Sequence, residues 1–223
     1  MPRRPDPDAR EALLAAARAE FARRGLDGAR IEDITRRAGL SKGAFYLHFR
    51  GKEEAFRLLV ERLLGALEEQ ASRRHEEKAA LDARLGPMGA DADVLQQAIE
   101  AECRWDTAML EVLWHNRHLV AAADAALSRP VARLLDAFRR RISATVAGNF
   151  RALQERGQMR RDLDPIAAAD LVVGAYEAFG RRMAALREKP DLLAWTRTVL
   201  QVVYLGVLEP PHAAASPHAT ASR

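Results

Sequence analysis

The residues best equipped for chemistry lie between 41 and 52, where the chain reads Ser-Lys-Gly-Ala-Phe-Tyr-Leu-His-Phe-Arg-Gly-Lys. Tyr46 and His48 carry donors suited to phosphate oxygens, and Lys52 adds a fixed positive charge. Lys42 and Ser41 stand at the start of the run. Gly43 lets main chain approach a partner closely, and the methyl of Ala44 suits a thymine methyl. Phe45 and Phe49 are large and apolar, and fit a small core shared with Phe21, Ile31 and Ile34. The chemistry this set offers is the binding of a polyanion. The chain holds no nucleophile motif, phosphate loop or cysteine pair.

Such groups act together only on a helix. Ser41 is a capping residue placed to start a helix over Lys42–His48. Gly39 breaks the helix before it, whose apolar stripe is Ile31, Ile34 and Ala38. Two short helices around a tight glycine turn form a helix-turn-helix, which sets its second helix in a DNA major groove. An ordinary helical hairpin is the alternative. Upstream, Asp6 caps a helix opening at Pro7, Leu13, Leu14, Ala17 and Phe21 share its inner face, and Gly25 stops it. Downstream, Gly51 precedes a long helix from near Lys52, with Phe56, Leu59, Leu63 and Leu67 inward.

Charge agrees with this placement. The net charge is +4, but residues 1–52 hold 12 Lys and Arg against 7 Asp and Glu, while the remainder holds 23 against 24. The excess therefore sits on the helix-turn-helix segment and predicts a polyanion partner. A merely solvated charged surface is the other reading.

The 223 residues are 48% apolar, which is enough for a globular core. Ala and Leu dominate and β-branched runs are scarce, so the predicted class is all-α. A lone Cys103 excludes an intramolecular disulfide and reads as a small buried hydrophobe. The first residues lack an apolar signal core and no run of 18 apolar residues occurs, so a cytoplasmic chain with no membrane partner is expected.

Beyond the first quarter, residues 68–84 are highly charged and either prolong the long helix or fray. Gly86-Pro87-Met88-Gly89 is a break. Helix is expected from Asp91 to about Val120, with a short segment near 121–127. Ser128 and Pro130 open a long helix to about Arg156, ended by Gly157. Asp164-Pro165 opens another to about Glu188. Lys189-Pro190-Asp191 precedes a last helix ending near Leu208. Three parts follow: a DNA-binding domain over 1–52, a regulatory and dimerisation domain over 53–209, and a disordered tail over 210–223.

Trp105, Met109, Trp114, Phe138, Phe150, Tyr176, Phe179 and Met183 hold nearly all the bulky aromatic and thioether groups of the second part. Facing one another, they would line a cavity for a hydrophobic or aromatic ligand, with Arg104, Asp106, His115 and Asn116 near enough to orient it. Plain core packing is the alternative. Glu111, His115 and His118 have a spacing compatible with one metal, but a fourth ligand is missing, and neither metal nor cofactor is expected. In the last two helices, Ala167, Ala168, Leu171, Gly174, Ala175 and Ala178 make one small-residue face. Leu193, Val199, Val202, Val203 and Leu205 make another apolar face. Two such helices from each of two copies would form a four-helix interface, although burial within one chain is also open.

Ala17, Phe21, Gly25, Asp33-Ile34, Ala38-Gly39, Ser41-Lys42-Gly43, Tyr46, His48-Phe49 and Lys52-Glu53-Glu54 resemble the N-terminal domain of the tetracycline-repressor-like (TetR) family over about residues 9–60. The resemblance implies a dimeric, all-helical transcription regulator, most often a repressor, released from a palindromic operator by a small effector. It implies DNA contacts from Lys42, Gly43, Ala44, Tyr46, His48 and Lys52. Where the family often has Thr or Ser before the second helix, this chain has Ala29-Arg30. Arg30 still reaches for phosphate, but the cap is lost at about 1 kcal/mol. Ala44 stands where Thr is frequent and Leu47 is apolar, so base readout leans on Lys42, Arg37 and main chain. Arg3 and Arg4 are either minor-groove contacts or a loose basic arm. A regulator of the same fold without an effector is the main alternative. An enzyme built on Cys103 or on the Glu111, His115 and His118 group is a remote one, and no enzymatic activity is expected.

Overall fold

Capping chemistry decides where the first helices begin and end. The computed structural model describes residues 6–85, 92–125 and 129–207. Asp6 accepts from the Asp8 amide at 3.0 Å, and α1 runs Pro7–Gly28. Gly25 interrupts α1 as expected, with φ 68° and ψ 179°, yet one further turn follows it and buries Leu26. α2 is Ile31–Ala38, ended by Gly39 at φ 67°, and its leading residue Arg30 makes no side-chain cap. α3 is Lys42–His48, where the Ser41 hydroxyl accepts from the Ala44 amide at 3.1 Å.

α4 spans Lys52–Leu85, so the charged stretch over 68–84 prolongs the helix. Ion pairs one turn apart, Arg73 to Glu69 at 2.5 Å and Lys78 to Asp82 at 3.4 Å, support it. The next helix differs from expectation: α5 is Ala92–His115, and a separate α6 covers Arg117–Ala125. Asn116 is the cause. Its amide side chain folds back on the Val112 carbonyl at 2.8 Å, competing with the backbone ladder.

α7 is Arg129–Glu155, followed by Gly157 at φ 70°. α8 is Pro165–Ala184, capped by Asp164, and ends four residues before the predicted Glu188. Tight bonds from Ala185 to Arg182 and from Leu186 to Met183 close it. α9 is Leu192–Val207, and Asp191 caps it by accepting from Ala194 at 2.9 Å. All of these elements are helical, as expected for an all-α chain. The arm with Arg3 and Arg4, the break at 86–89, the Ser128 cap and the tail lie outside the described residues.

One hydrophobic core joins the N-terminal helices to the rest. Leu13, Leu14, Ala17 and Phe21 of α1, Ile34 of α2, Phe45 and Phe49 pack with Phe56, Leu59, Val60 and Leu63 of α4. The same cluster takes in Leu119, Ala122 and Ala123 of α6. Phe21 and Phe56 meet edge to face at 5.1 Å. A smaller cluster holds Leu110, Met183 and Leu192 with Trp114, Phe179 and Trp195 around them. Cys103 is buried, as its reading as a small hydrophobe requires, and burial pushes its thiol pKa up. On the outside, Leu171 and Val202 stay 69% and 66% exposed, and Ile166 and Leu193 are also exposed. Among the described residues no helix is long and apolar enough to cross a membrane.

Candidate functional site

α3 divides cleanly into an inner and an outer side. Phe45 is fully buried and Phe49, just after the helix, is nearly so, their rings 5.2 Å apart. These two pin the helix to the core. Lys42, Gly43, Tyr46 and Leu47 then face outward, with Ala44 and His48 half-buried at the margins. A side chain added at Gly43 would meet only the Ser41 hydroxyl, at 3.7 Å, so the outer surface there is open. Ser41 and Arg30 are exposed beside it.

A buried carboxylate organises this surface from below. Glu20 of α1 is 2% exposed and accepts from Arg23 at 2.8 Å and from Arg37 of α2 at 3.0 Å, with Arg24 at 3.8 Å. The Arg23 hydrogen bond, above all, holds its pKa below the usual carboxylate value, with Arg37 adding to the effect. Arg37 therefore spends at least its Nε on locking α2 to α1. Lys42 is paired to Glu32 at 2.6 Å, which raises the ammonium pKa and lowers that of Glu32. The Lys52 ammonium donates to the carbonyls of Asp27 and Ala29 at 2.9 and 3.1 Å. It thus caps the end of α1 and fixes the α1–α2 junction to the start of α4. Sequence reasoning missed Glu20. The arginines three and four residues on from it were the available signal.

The second site is a cavity of about 420 Å³ walled by α4, α5, α6, α7, α8 and α9. Met109, Phe138, Phe150 and Tyr176 line it, as expected. Trp105, Trp114, Phe179 and Met183 do not. Trp114, Phe179 and Met183 belong to the small core cluster, because their helix faces turn toward α9 and its Leu192 and Trp195. Trp105 is half-buried and donates its ring N–H to Glu77. The wall is mostly aliphatic, from Leu63, Leu64 and Leu67 of α4 to Val172 and Val173 of α8.

A buried polar corner interrupts that wall, apart from the charged groups such as Asp124, Arg139, Arg156 and Arg181 that also line it. Glu102 and Asp106, one turn apart on α5, are 3% and 4% exposed. Arg74 of α4 bridges them at 2.5 and 3.2 Å, and the Tyr176 hydroxyl donates to Asp106. Burial raises the pKa of both carboxyls, partly offset by Arg74, and burial beside Asp106 pushes the Tyr176 phenol up as well. Of the polar groups expected near the aromatics, Asp106 lines the cavity, whereas Arg104, His115 and Asn116 do not. Among the described residues no group of three or more His, Cys, Asp or Glu is placed to hold a metal. Glu111 pairs with Lys189 at 2.5 Å and lies 3.9 Å from the His115 ring, and the break at Asn116 separates His115 from His118.

The two sites are mechanically joined. α6 presents Leu119 and Ala122 to the core shared with α1, and Val120 and Asp124 to the cavity. Arg18 of α1 donates to the carbonyl of His115, the last residue of α5, at 2.7 Å. Glu11 of α1 and Arg62 of α4 form a two-pronged pair at 2.6 and 2.7 Å.

Residues 13–59 match the family described as "Bacterial regulatory proteins, tetR family". The chain is 28% identical over 210 residues to the HTH-type transcriptional regulator TtgR of Pseudomonas putida, covering 89% of this chain and 92% of that one. Its fold is similar to that of SmeT, described as the repressor of the Stenotrophomonas maltophilia multidrug efflux pump SmeDEF. The TM-score is 0.64 at 21% identity, over 91% of this chain and 93% of SmeT. SmeT has also been solved as a complex with triclosan. The fold is likewise similar to that of FadR from Bacillus subtilis in complex with stearoyl-CoA, with TM-score 0.62 at 16% identity, over 88% and 98% of the two chains. A matching helix-turn-helix segment, a relative alike over nearly the whole length and a shared helical architecture lead to one conclusion: the chain carries a tetR-family segment over residues 13–59 and resembles HTH-type transcriptional regulators over nearly its whole length.

Proposed function

We propose that this regulator is a homodimeric repressor that leaves a palindromic DNA operator when a hydrophobic or aromatic molecule fills its cavity. One observation carries the reading: α4 and α6 each touch both the helices that present α3 and the wall of the 420 Å³ cavity. That volume falls in the range of small-molecule sites. Lys42, Gly43, Ala44, Tyr46 and His48 meet the major groove, with Ser41 and Arg30 at the phosphates. Arg37 and Lys52 act first by fixing the helices that carry those groups. Met109, Phe138, Phe150 and Tyr176 contact the effector. The triclosan and stearoyl-CoA complexes of SmeT and FadR fit an apolar occupant of this kind.

In this scheme residues 1–52 form the DNA-binding part and 53–209 the regulatory part, with α8 and α9 pairing across the two-fold axis. An occupant that favours one setting of α4 and α6 changes the separation of the two α3 helices. Only a difference in affinity between the two settings is required. A repressor of this kind works where the chromosome is, in the cytoplasm.

The test begins with selection of a duplex operator from a random pool by the full-length protein. A panel of apolar and aromatic compounds is then screened for release of that duplex. The wild-type protein should be released by at least one compound. The variant Val172→Trp, which fills the cavity, should keep operator affinity within about threefold and lose the response. Release of Val172→Trp by the same compounds at the same concentrations would overturn the cavity assignment.

A further inference from the structure

The outer side of α3 poses a problem of recognition. Side chains that read base edges by paired hydrogen bonds are Arg, Lys, Asn, Gln, Asp and Glu. Between Lys42 and His48 the helix offers only one of these, Lys42, and its ammonium is held by Glu32 at 2.6 Å. The Ser41 hydroxyl is engaged in the helix cap. What the helix does present is Leu47, 55% exposed, one turn from Gly43 and three residues from the methyl of Ala44. The other exposed large aliphatic groups among the described residues, Ile166, Leu171, Leu193 and Val202, all lie on α8 and α9. Leu47 is thus the exposed aliphatic group of α3, next to the exposed Tyr46 and with an open notch beside it at Gly43.

The major groove contains one apolar group, the C5 methyl of thymine. We infer that Leu47, seated beside Gly43 and Ala44, reads a thymine methyl in each half of the operator and is a specificity-determining residue of this protein. The inference rests on the DNA-binding reading above and adds the base and the atom that are recognised. Gly43 has a defined part in it, since any larger side chain there would occupy the space that the methyl enters. The cost of half-exposing a leucine in the free protein is returned when the methyl and the side chain leave water together.

The test uses the operator selected with full-length wild-type protein. Each thymine is replaced in turn by deoxyuridine, which removes the methyl and keeps every hydrogen-bonding group. One position per half-site should weaken wild-type binding by about 3- to 10-fold, the scale of one buried methyl contact. For Leu47→Ala the same replacement should change affinity less than about 1.5-fold, and its melting temperature should match the wild type because Leu47 packs little. A second selection with Leu47→Ser should lose the enrichment of thymine at that position while still yielding salt-sensitive duplex binding. Uracil replacements without effect, or with equal effect in Leu47→Ala, would overturn the assignment while leaving DNA binding intact. If no duplex is retained by wild-type protein at moderate salt, the DNA-binding reading itself fails, before any uracil is introduced.

Discussion

A single buried carboxylate, Glu20, sets the arrangement of α1 and α2 beneath the outer surface of α3. It gathers Arg23, Arg24 and Arg37 and so ties α2 to α1. Its folded-state pKa lies below its ordinary value of 4.5. The stability it contributes is therefore complete above that value and is lost as pH falls through the lowered one. Glu20→Gln should lower stability at neutral pH by roughly 2 kcal/mol, as befits charge-assisted bonds to a buried group. It should also flatten the acid limb of a melting-temperature profile below the ordinary carboxylate value of 4.5. An unchanged acid limb would remove Glu20 from this role. The sequence shows Arg23 and Arg24 one turn beyond Glu20, but Arg37 is 17 residues away and only the packed helices bring it in. The same limit explains Lys52. Its charge is visible in the sequence, whereas its bond to the Asp27 and Ala29 carbonyls depends on the angle between α1 and α4.

At the scale of elements, local chemistry announced several helix starts: Asp6, Ser41 and Asp164 cap as their types and neighbours predict. Helix ends were harder. The end of α8 at Ala184 is made by tight backbone bonds in its last turn, beside the fully buried Met183, and no glycine marks it. Two glycines test how well the elements are understood. Gly25 has φ 68° and ψ 179°, a region open essentially to glycine. Gly25→Ala should cost on the order of 1–3 kcal/mol in chemical denaturation. Gly65 lies inside α4, exposed and with open space around it. Gly65→Ala should stabilise by about 0.5–1 kcal/mol. Opposite signs at the two sites are the expected result, and a stabilising Gly25→Ala would contradict the backbone described for α1.

For the whole molecule, the apolar groups left uncovered on α8 and α9 are where the proposed pairing with a second copy can be tested. Leu171 on α8 and Val202 on α9 are each about two-thirds exposed. Leu171→Glu combined with Val202→Glu should give a monomer in sedimentation at micromolar concentration, with helical circular dichroism retained. It should also weaken operator binding by at least about 100-fold through loss of the second half-site. A dimer that survives both changes would place the interface elsewhere. The cavity was only half legible. Aromatic residues on helices look alike in sequence whether they line a void or fill a core, so Phe138 and Phe150 could not be told from Trp114 and Phe179 until the helices were packed.

The shared core has a consequence for how the protein comes apart. Leu13, Phe21 and Phe45 are packed against Phe56 and Val60 of α4 and in one cluster with Leu119 and Ala122 of α6. The helix-turn-helix segment therefore does not fold as a module of its own. A fragment cut at Gly51 would strip Phe21 of its edge-to-face partner and leave Leu13, Ile34 and Phe49 without a lid. Unfolding should be one cooperative event across head and body. A cavity-bound molecule should then protect the backbone amides of α1 and α3 from hydrogen exchange, although it touches neither.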